Sequence, residues 1–413
     1  MSNIPLSPQR LWDSLMDMAK IGATPAGGNS RQALTGADAE GRRLFMEWGR
    51  ALGLTPIIDQ AGSIGLLRPG RDPSRKPVAV GSHLDTVPTG GRFDGVYGVL
   101  AGLEILRALH EAGAETEAPI LVINWTNEEG ARFYPPMGAS EVSMGLRPLP
   151  DLLATQERAG PETFADALAA TGFAGEANPA IFRDIAAYFE THIEQGPILE
   201  REGAEVGIVS HALGVMTFAV TVEGRDGHVG SPMEGRADAL VAAAALVLAA
   251  ERIALAHAGL GSVNRLALFP DTRGTIPSRV NLGASLRGQT QEGLDAMLAE
   301  FRAEADLVAL SRGVTITITQ DWGYPMVPFD PVLKGRLEVA ADRRGIVRRT
   351  LATPIGHDAI HVGRVLPAAM LFIPCHGGLS HNEAESITPR WAEAGLMVLA
   401  DAVLETAGLV RAP

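Results

Sequence analysis

The chain has 413 residues, 46% hydrophobic and 20% charged, with one cysteine and a formal net charge of −13 at pH 7. That length outgrows a single core and points to two domains, while the acidic balance disfavours a nucleic acid or an anionic membrane as partner. The lone Cys375 rules out an internal disulfide and a thiolate-cluster zinc site, so any metal must be held by His, Asp and Glu.

The N-terminal stretch MSNIPLSPQRLWDSLMDMAKIG lacks the basic start, apolar centre and small-residue cleavage site of a secretory leader, and a cytoplasmic protein is expected. PVAVGSH, GVLAGLEILRALHEAG and PILVINWTNEEG then alternate β-rich apolar runs with a helical segment. This is the signature of βαβ units, and an α/β fold with a largely parallel, helix-flanked sheet is expected. VMTFAVTVEGRDGHVG alternates apolar and polar residues like a half-exposed strand. ALVAAAALVLAA (239–250) follows it, far short of the roughly 20 residues that span a bilayer, and reads as a buried helix. A smaller α+β domain is therefore expected over 213–328, inserted into a larger domain made of 1–212 and 329–413.

Polar residues cluster where apolar runs end. VAVGS stops at His83, ILVINWT at Glu128 and Glu129, and AMLFIPC runs into the loop that holds His381. AYFETHIEQG places His192 on a further β-like run. In open α/β sheets the loops leaving strand C-termini converge on one crevice, which is where ligands bind. His83, Asp94, Glu129, His192 and His381 form a nitrogen and oxygen donor set suited to zinc and acceptable to manganese or cobalt. Five ligands are too many for one open tetrahedral ion and suit two ions sharing a carboxylate, an arrangement that activates water and stabilises an oxyanion. Asp85 is positioned to hold the second imidazole nitrogen of His83. Glu128, beside a ligand, stays free to move a proton.

GSHLDTVPTGGRFDGVYGVLAGLEIL, WTNEEGARF, HIEQGPILE, GHVGSPMEGRADAL, GHDA and GLSHNEAE, in that order between about residues 80 and 385, together resemble the dinuclear-metal amidases of the M20 superfamily. The resemblance is to the group of N-carbamoyl-L-amino acid hydrolases, allantoate amidohydrolases and β-ureidopropionases. It implies a mixed-sheet metal-binding domain, an inserted lid and dimerisation domain, and a homodimer acting on a small ureido or amide acid. It also implies that Asp94 bridges two ions, with His83 and His192 on one and Glu129 and His381 on the other, and that Glu128 is the general base. Gln195 is implied in the substrate pocket, His228 as an oxyanion donor from the lid, and Arg287 as the clamp on a substrate carboxylate. Two positions depart from the family pattern: Gly274 stands where Asn is usual and Ser285 where Asp is usual.

Three rival readings bear on the same residues. Cys375 beside His376 suggests a cysteine amidase, but neighbours on a strand face opposite ways. A non-catalytic scaffold descended from an amidase would be expected to lose ligands or base, and none is lost here. A dipeptidase or aminoacylase of the same superfamily is a closer rival, against which HIEQGP and GGRFDG favour the carbamoylase branch.

Overall fold

The computed structural model describes residues 4–410; residues 1–3, the start of the segment read as lacking a leader, lie outside the described residues. Four strands form the centre of the larger unit: Val78–His83, Ile120–Trp125, Ala187–Ile193 and Ala368–Ile373, every residue of them buried. Continuous apolar burial of this kind is what a parallel sheet covered on both faces requires. The strands pair in parallel, His83 opposite Trp125, Val78 opposite Ala187 and Phe372 opposite His192, so all four deliver their C-termini to one edge. Antiparallel strands close the flanks: Ile64–Arg68 against Ile120–Trp125, and Val206–Ala212 against Ala368–Ile373. Among the described residues this is a nine-stranded mixed sheet, with the helix-flanked α/β character expected from the sequence.

Helix Val96–Glu111 is buried along nearly its whole length and packs on Val78–His83 and Ala187–Ile193. Its first turn comes in close. A Cβ on Gly98 would lie 2.3 Å from the Thr191 carbonyl oxygen and 2.8 Å from Ser82 Cβ. Gly95, just before the helix, has φ +67° and lies so near the His83 ring that a Cβ would sit 2.3 Å from it. Only glycine satisfies both demands.

The smaller unit comprises His211–Val327 with Ala352–Ile355, and the larger one the chain up to Ser210, Pro328–Leu351 and the chain from Gly356. The sequence reading left 352–355 with the larger domain. The segment joins the smaller one because the Leu213 N–H donates to the Thr353 carbonyl at 2.9 Å and Arg287 Nη1 donates to the Pro354 carbonyl. Four antiparallel strands make the sheet of this unit, in the order Thr315–Tyr324, Gly214–Glu223, Arg279–Gly288, Leu260–Phe269. Helices Ala239–Ala256 and Gln291–Arg312 pack together on that sheet.

The apolar segment at 239–250 corrects its reading in two ways. It belongs to an 18-residue helix, long and apolar enough by composition to cross a membrane, and the helix is not buried all round. Asp238 caps it, accepting the N–H groups of Leu240 and Val241. Ala242, Ala243, Leu246, Ala249, Ala250 and Ile253 face the core at helical spacing, while Leu248 and Leu255 remain 67% and 75% exposed. Uniformly apolar composition hides this division, because the periodicity that marks a buried face needs polar residues on the other.

Gly98→Ala is expected to lower the midpoint of thermal unfolding, since overpacking against a main-chain carbonyl typically costs about 1–3 kcal/mol. An unchanged midpoint would mean that helix Val96–Glu111 is free to shift off the sheet.

Candidate metal centre

His83 ends its strand, His192 lies one residue before the end of its own, and Asp94, Glu128, Glu129 and His381 stand on loops leaving the same edge. His192 Nε2 is 3.0 Å and His83 Nε2 3.5 Å from Asp94 Oδ1. On the other side of the carboxylate, His381 Nε2 is 3.6 Å from Asp94 Oδ2 and 3.1 Å from Glu129 Oε2. The donor atoms of His83, Asp94 and His192 lie within 4.8 Å of one another, as do those of Asp94, Glu129 and His381. The two triads share Asp94. Glu128 Oε2 lies 3.6 Å from His83 Nε2 and belongs to neither triad.

Main-chain carbonyls fix the imidazoles. His83 Nδ1 is 2.9 Å from the Asp85 carbonyl and His192 Nδ1 is 2.9 Å from the Ile193 carbonyl. A carbonyl can only accept, so each Nδ1 carries the proton and each Nε2 turns its lone pair inward. Asp85 attends His83 in two ways, its carbonyl by the hydrogen bond and its carboxylate Oδ1 from 4.0 Å. The backbone oxygen takes the hydrogen bond because the chain turns within two residues. The Asp85 carboxylate also accepts the N–H groups of Glu128 and Glu129, at 3.3 Å each.

Gln195 departs from its expected part in detail. Its Nε2 donates to Asp94 Oδ2 at 2.8 Å and to Ser380 Oγ at 3.0 Å, so this end of the side chain is spent on holding the shared carboxylate. Ser380 Oγ donates to the same Asp94 oxygen at 2.7 Å. Behind them Glu385, 1% exposed, accepts the N–H groups of Phe93 and Asp94 at 2.9 and 3.1 Å. Glu190 accepts from Ser82 Oγ and from the Ala359 N–H, tying the histidine strand to the segment after His357. Sequence reasoning assigned no part to Ser380, Glu385 or Glu190. The first two sit inside the GLSHNEAE motif, but only the folded chain shows what they touch.

The electrostatics follow from crowding carboxylates into a dry place. Burial pushes the Glu128 carboxyl well above the ordinary range against the pull of His83. Burial raises Asp85 to about 6, again opposed by His83, and raises Glu385 to about 8 with help from Asp94. The hydrogen bond to Glu129 leads in lifting His381 to about 9. Among the described residues no lysine or arginine forms an ion pair with Asp94, Glu128 or Glu129. Imidazole nitrogens and carboxylate oxygens converging at short range, with no lysine or arginine among them, make a donor set that fits divalent metal.

His228 and Arg287 belong to the smaller unit. His228 is exposed, pairs with Thr275 in a two-stranded ribbon, and its Nδ1 accepts the Gly230 N–H at 3.0 Å. Arg287, half-buried, spends Nη1 on the Pro354 carbonyl. Of the two departing positions, Gly274 is exposed, and Ser285 is 6% exposed with its hydroxyl unpartnered. The cysteine reading loses its footing: burial pushes the Cys375 thiol up to about 12, and His376 Nδ1 faces Glu200 Oε1 at 2.9 Å.

A mixed α/β sheet whose parallel strand ends carry paired nitrogen and oxygen triads defines a dinuclear-metal type of protein. The model of peptidase family M20/M25/M40 matches residues 79–405. The chain is 44% identical to an N-carbamoyl-L-amino-acid amidohydrolase of Rhizobium meliloti over 99% of both chains, and 33% identical to one of Geobacillus stearothermophilus over 97% of this chain and 98% of that one. A crystal structure of an amidase of the hydantoinase/carbamoylase family from Burkholderia vietnamiensis aligns at 42% identity with TM-score 0.90, covering 98% of this chain and 99% of the other. The chain belongs to peptidase family M20/M25/M40, in accord with the resemblance carried by its motifs.

Ser380→Ala and Glu385→Gln are expected to loosen divalent metal by about 10- to 100-fold, the usual cost of removing a hydrogen bond that orients a ligand. Metal retained after dialysis against graded chelator, with circular dichroism to confirm the fold, checks this. Retention equal to wild type in both variants would leave the two residues without influence on Asp94.

Proposed function

We propose that this chain is a metal-dependent amidohydrolase that cleaves the carbamoyl C–N bond of an N-carbamoyl-L-amino acid, yielding the amino acid, ammonia and carbon dioxide. The observation that carries the reading is the pair of triads sharing Asp94 with Glu128 uncommitted beside them. The names of the bacterial relatives supply the substrate class.

In this reading His83, His192 and Asp94 hold one divalent ion, and Asp94, Glu129 and His381 hold the other, with zinc, manganese or cobalt compatible with the donors. Two such ions supply Lewis acidity, polarising the substrate carbonyl and acidifying water. Glu128 accepts the proton released from water and returns it to the departing nitrogen, a task suited to a buried carboxyl that lies outside both triads and whose affinity for a proton is raised by burial. Asp85 keeps Glu128 and Glu129 in step by holding both main-chain N–H groups. Because His228 Nδ1 accepts from Gly230, its neutral ring carries the proton on Nε2, the tautomer needed to donate to a developing oxyanion. Arg287 serves as the clamp on the substrate carboxylate with the donors it does not give to Pro354. The exposed leucines 248, 255, 307 and 310, on two helices that pack side by side, support a homodimer joined through the smaller unit.

Chelation is expected to abolish turnover, and zinc, manganese or cobalt to restore it; full activity in rigorously metal-free protein overturns the reading. Glu128→Gln should keep its metal and fold yet lose roughly 10²- to 10⁴-fold in kcat, whereas Asp94→Ala should lose metal. His228→Ala should lower kcat by roughly 10²- to 10³-fold with metal content unchanged. Steady-state rates on a panel of N-carbamoyl amino acids, N-acyl amino acids, dipeptides and allantoate fix the substrate. A higher kcat/KM for allantoate or a dipeptide would replace the carbamoylase assignment while leaving the metal chemistry intact.

A further inference from the structure

Within the larger unit, a cavity of about 170 Å³ lies between helix Gly138–Ser143 and the short turn Pro179–Arg183. Gln60, Ser143, Gly145, Arg147, Asn178 and Arg183 supply its polar lining and its floor, and no carboxylate lines it. In a chain with 48 acidic and 35 basic residues, arginines tend to find acids, as Arg10 finds Glu104, Arg132 finds Glu157 and Arg344 finds Asp401. Among the described residues Arg147 and Arg183 form no ion pair. Glu141, on the adjoining helix, feels the charge of Arg147 but stays outside the lining.

Arg147 is half-buried and fixed by two hydrogen bonds, while Arg183 is exposed and reaches the cavity tethered by one. Arg147 Nη2 donates to the Asp151 carbonyl and to Thr155 Oγ1, each at 2.9 Å, while its Nη1 is buried without a hydrogen-bond partner. Arg183 Nη1 donates to the Met144 carbonyl at 3.3 Å and passes over Gly145, where a Cβ would lie 2.6 Å from that nitrogen. Gly145 has φ +73°, so the turn admits glycine on both counts. The third element is Ser143, 0% exposed, whose Oγ also lacks a partner. A preset arginine fork, a second arginine and a buried hydroxyl with spare donors are the means by which proteins grip planar or tetrahedral oxoanions.

We propose that this cavity is a binding site for a small molecule bearing an oxoanion, a carboxylate or a phosphate, seated between Arg147 and Arg183 and receiving a hydrogen bond from Ser143. A water needs roughly 10–15 Å³ of such space, so there is room for on the order of ten waters, ample for a phosphate group or the carboxylate end of an amino acid. The site uses none of the residues assigned to the metal centre and stands independently of the proposed reaction.

The test is calorimetric titration of the metal-loaded protein with inorganic phosphate and, separately, with acetate, comparing wild type with Arg183→Gln and Ser143→Ala. Anion bound at the metal centre persists in both variants, so the component they remove belongs to the cavity. A saturable component weakened at least tenfold in Arg183→Gln and reduced in Ser143→Ala is expected; its appearance with phosphate alone assigns a phosphate-bearing ligand, and with acetate a carboxylate. Crystals of the wild-type protein soaked in tungstate should show an anomalous peak between the two guanidinium groups. Isotherms that superimpose for all three proteins, or crystals whose anomalous peaks avoid the cavity, overturn the proposal. Ser143→Ala keeps the test valid if Arg183→Gln fails to fold, because it removes one oxygen and no structural hydrogen bond.

Discussion

Asp94 is the constraint around which the larger unit is arranged. A carboxylate that is 4% exposed and must present one oxygen to each of two triads cannot be left to find its own orientation. An isolated buried carboxylate is strongly disfavoured, so its surroundings must supply hydrogen bonds and positive charge in fixed directions. The hydrogen bonds come from Gln195 and Ser380, and the directions come from the sheet: parallel strands bring His83 and His192 to one edge, and their loops bring Asp94 and Glu129. The donor chemistry leaves the remaining charge to divalent cations.

Behind the ligand set, three acids share one device. Asp85 holds the N–H groups of Glu128 and Glu129, Glu385 those of Phe93 and Asp94, and Glu190 that of Ala359. Asp85 and Glu385 thereby hold the backbones of loops that emerge from the sheet edge, and Glu190 holds the first turn of helix Asp358–Gly363. Asn127, Gln195 and His381 adopt left-handed backbone conformations at these loops. Such conformations persist in non-glycine residues only where surrounding contacts over-determine them, and side-chain bonds supply such contacts here: Asn127 Nδ2 donates to the Phe133 carbonyl and Gln195 Nε2 to Asp94 and Ser380.

The smaller unit answers to a different physics. Its sheet and two helices enclose an apolar core that includes Phe218, Leu246, Met297 and Phe301. Outside that core, His228 Nδ1 accepts the Gly230 N–H and Arg287 Nη1 donates to the Pro354 carbonyl, both of them local main-chain bonds rather than part of a buried carboxylate network. Leu248, Leu255, Leu307 and Leu310 stay on the outside of its two helices.

The amino-acid sequence by itself determined the α/β class and the strands that end at or run into His83, Glu129, His192 and His381, because apolar runs, alternation and polar strand termini are local patterns. The metal-type donor set was legible for the same reason: the only cysteine cannot form a cluster, and the candidate ligands stop strands. What the tertiary structure alone decided is which atom meets which. It gave the hydrogen bond of His83 to the Asp85 backbone oxygen, turned Gln195 onto Asp94, and enlisted Ser380, Glu385 and Glu190 from segments distant in the chain. It also split helix Ala239–Ala256 into a packed face and a bare one, which an all-apolar sequence cannot announce. Local periodicity encodes which face of an element is apolar, whereas the course of a tight turn, as at Asp85, and contacts between residues a hundred or more positions apart, as between Gln195 and Asp94, are settled only once loops have closed.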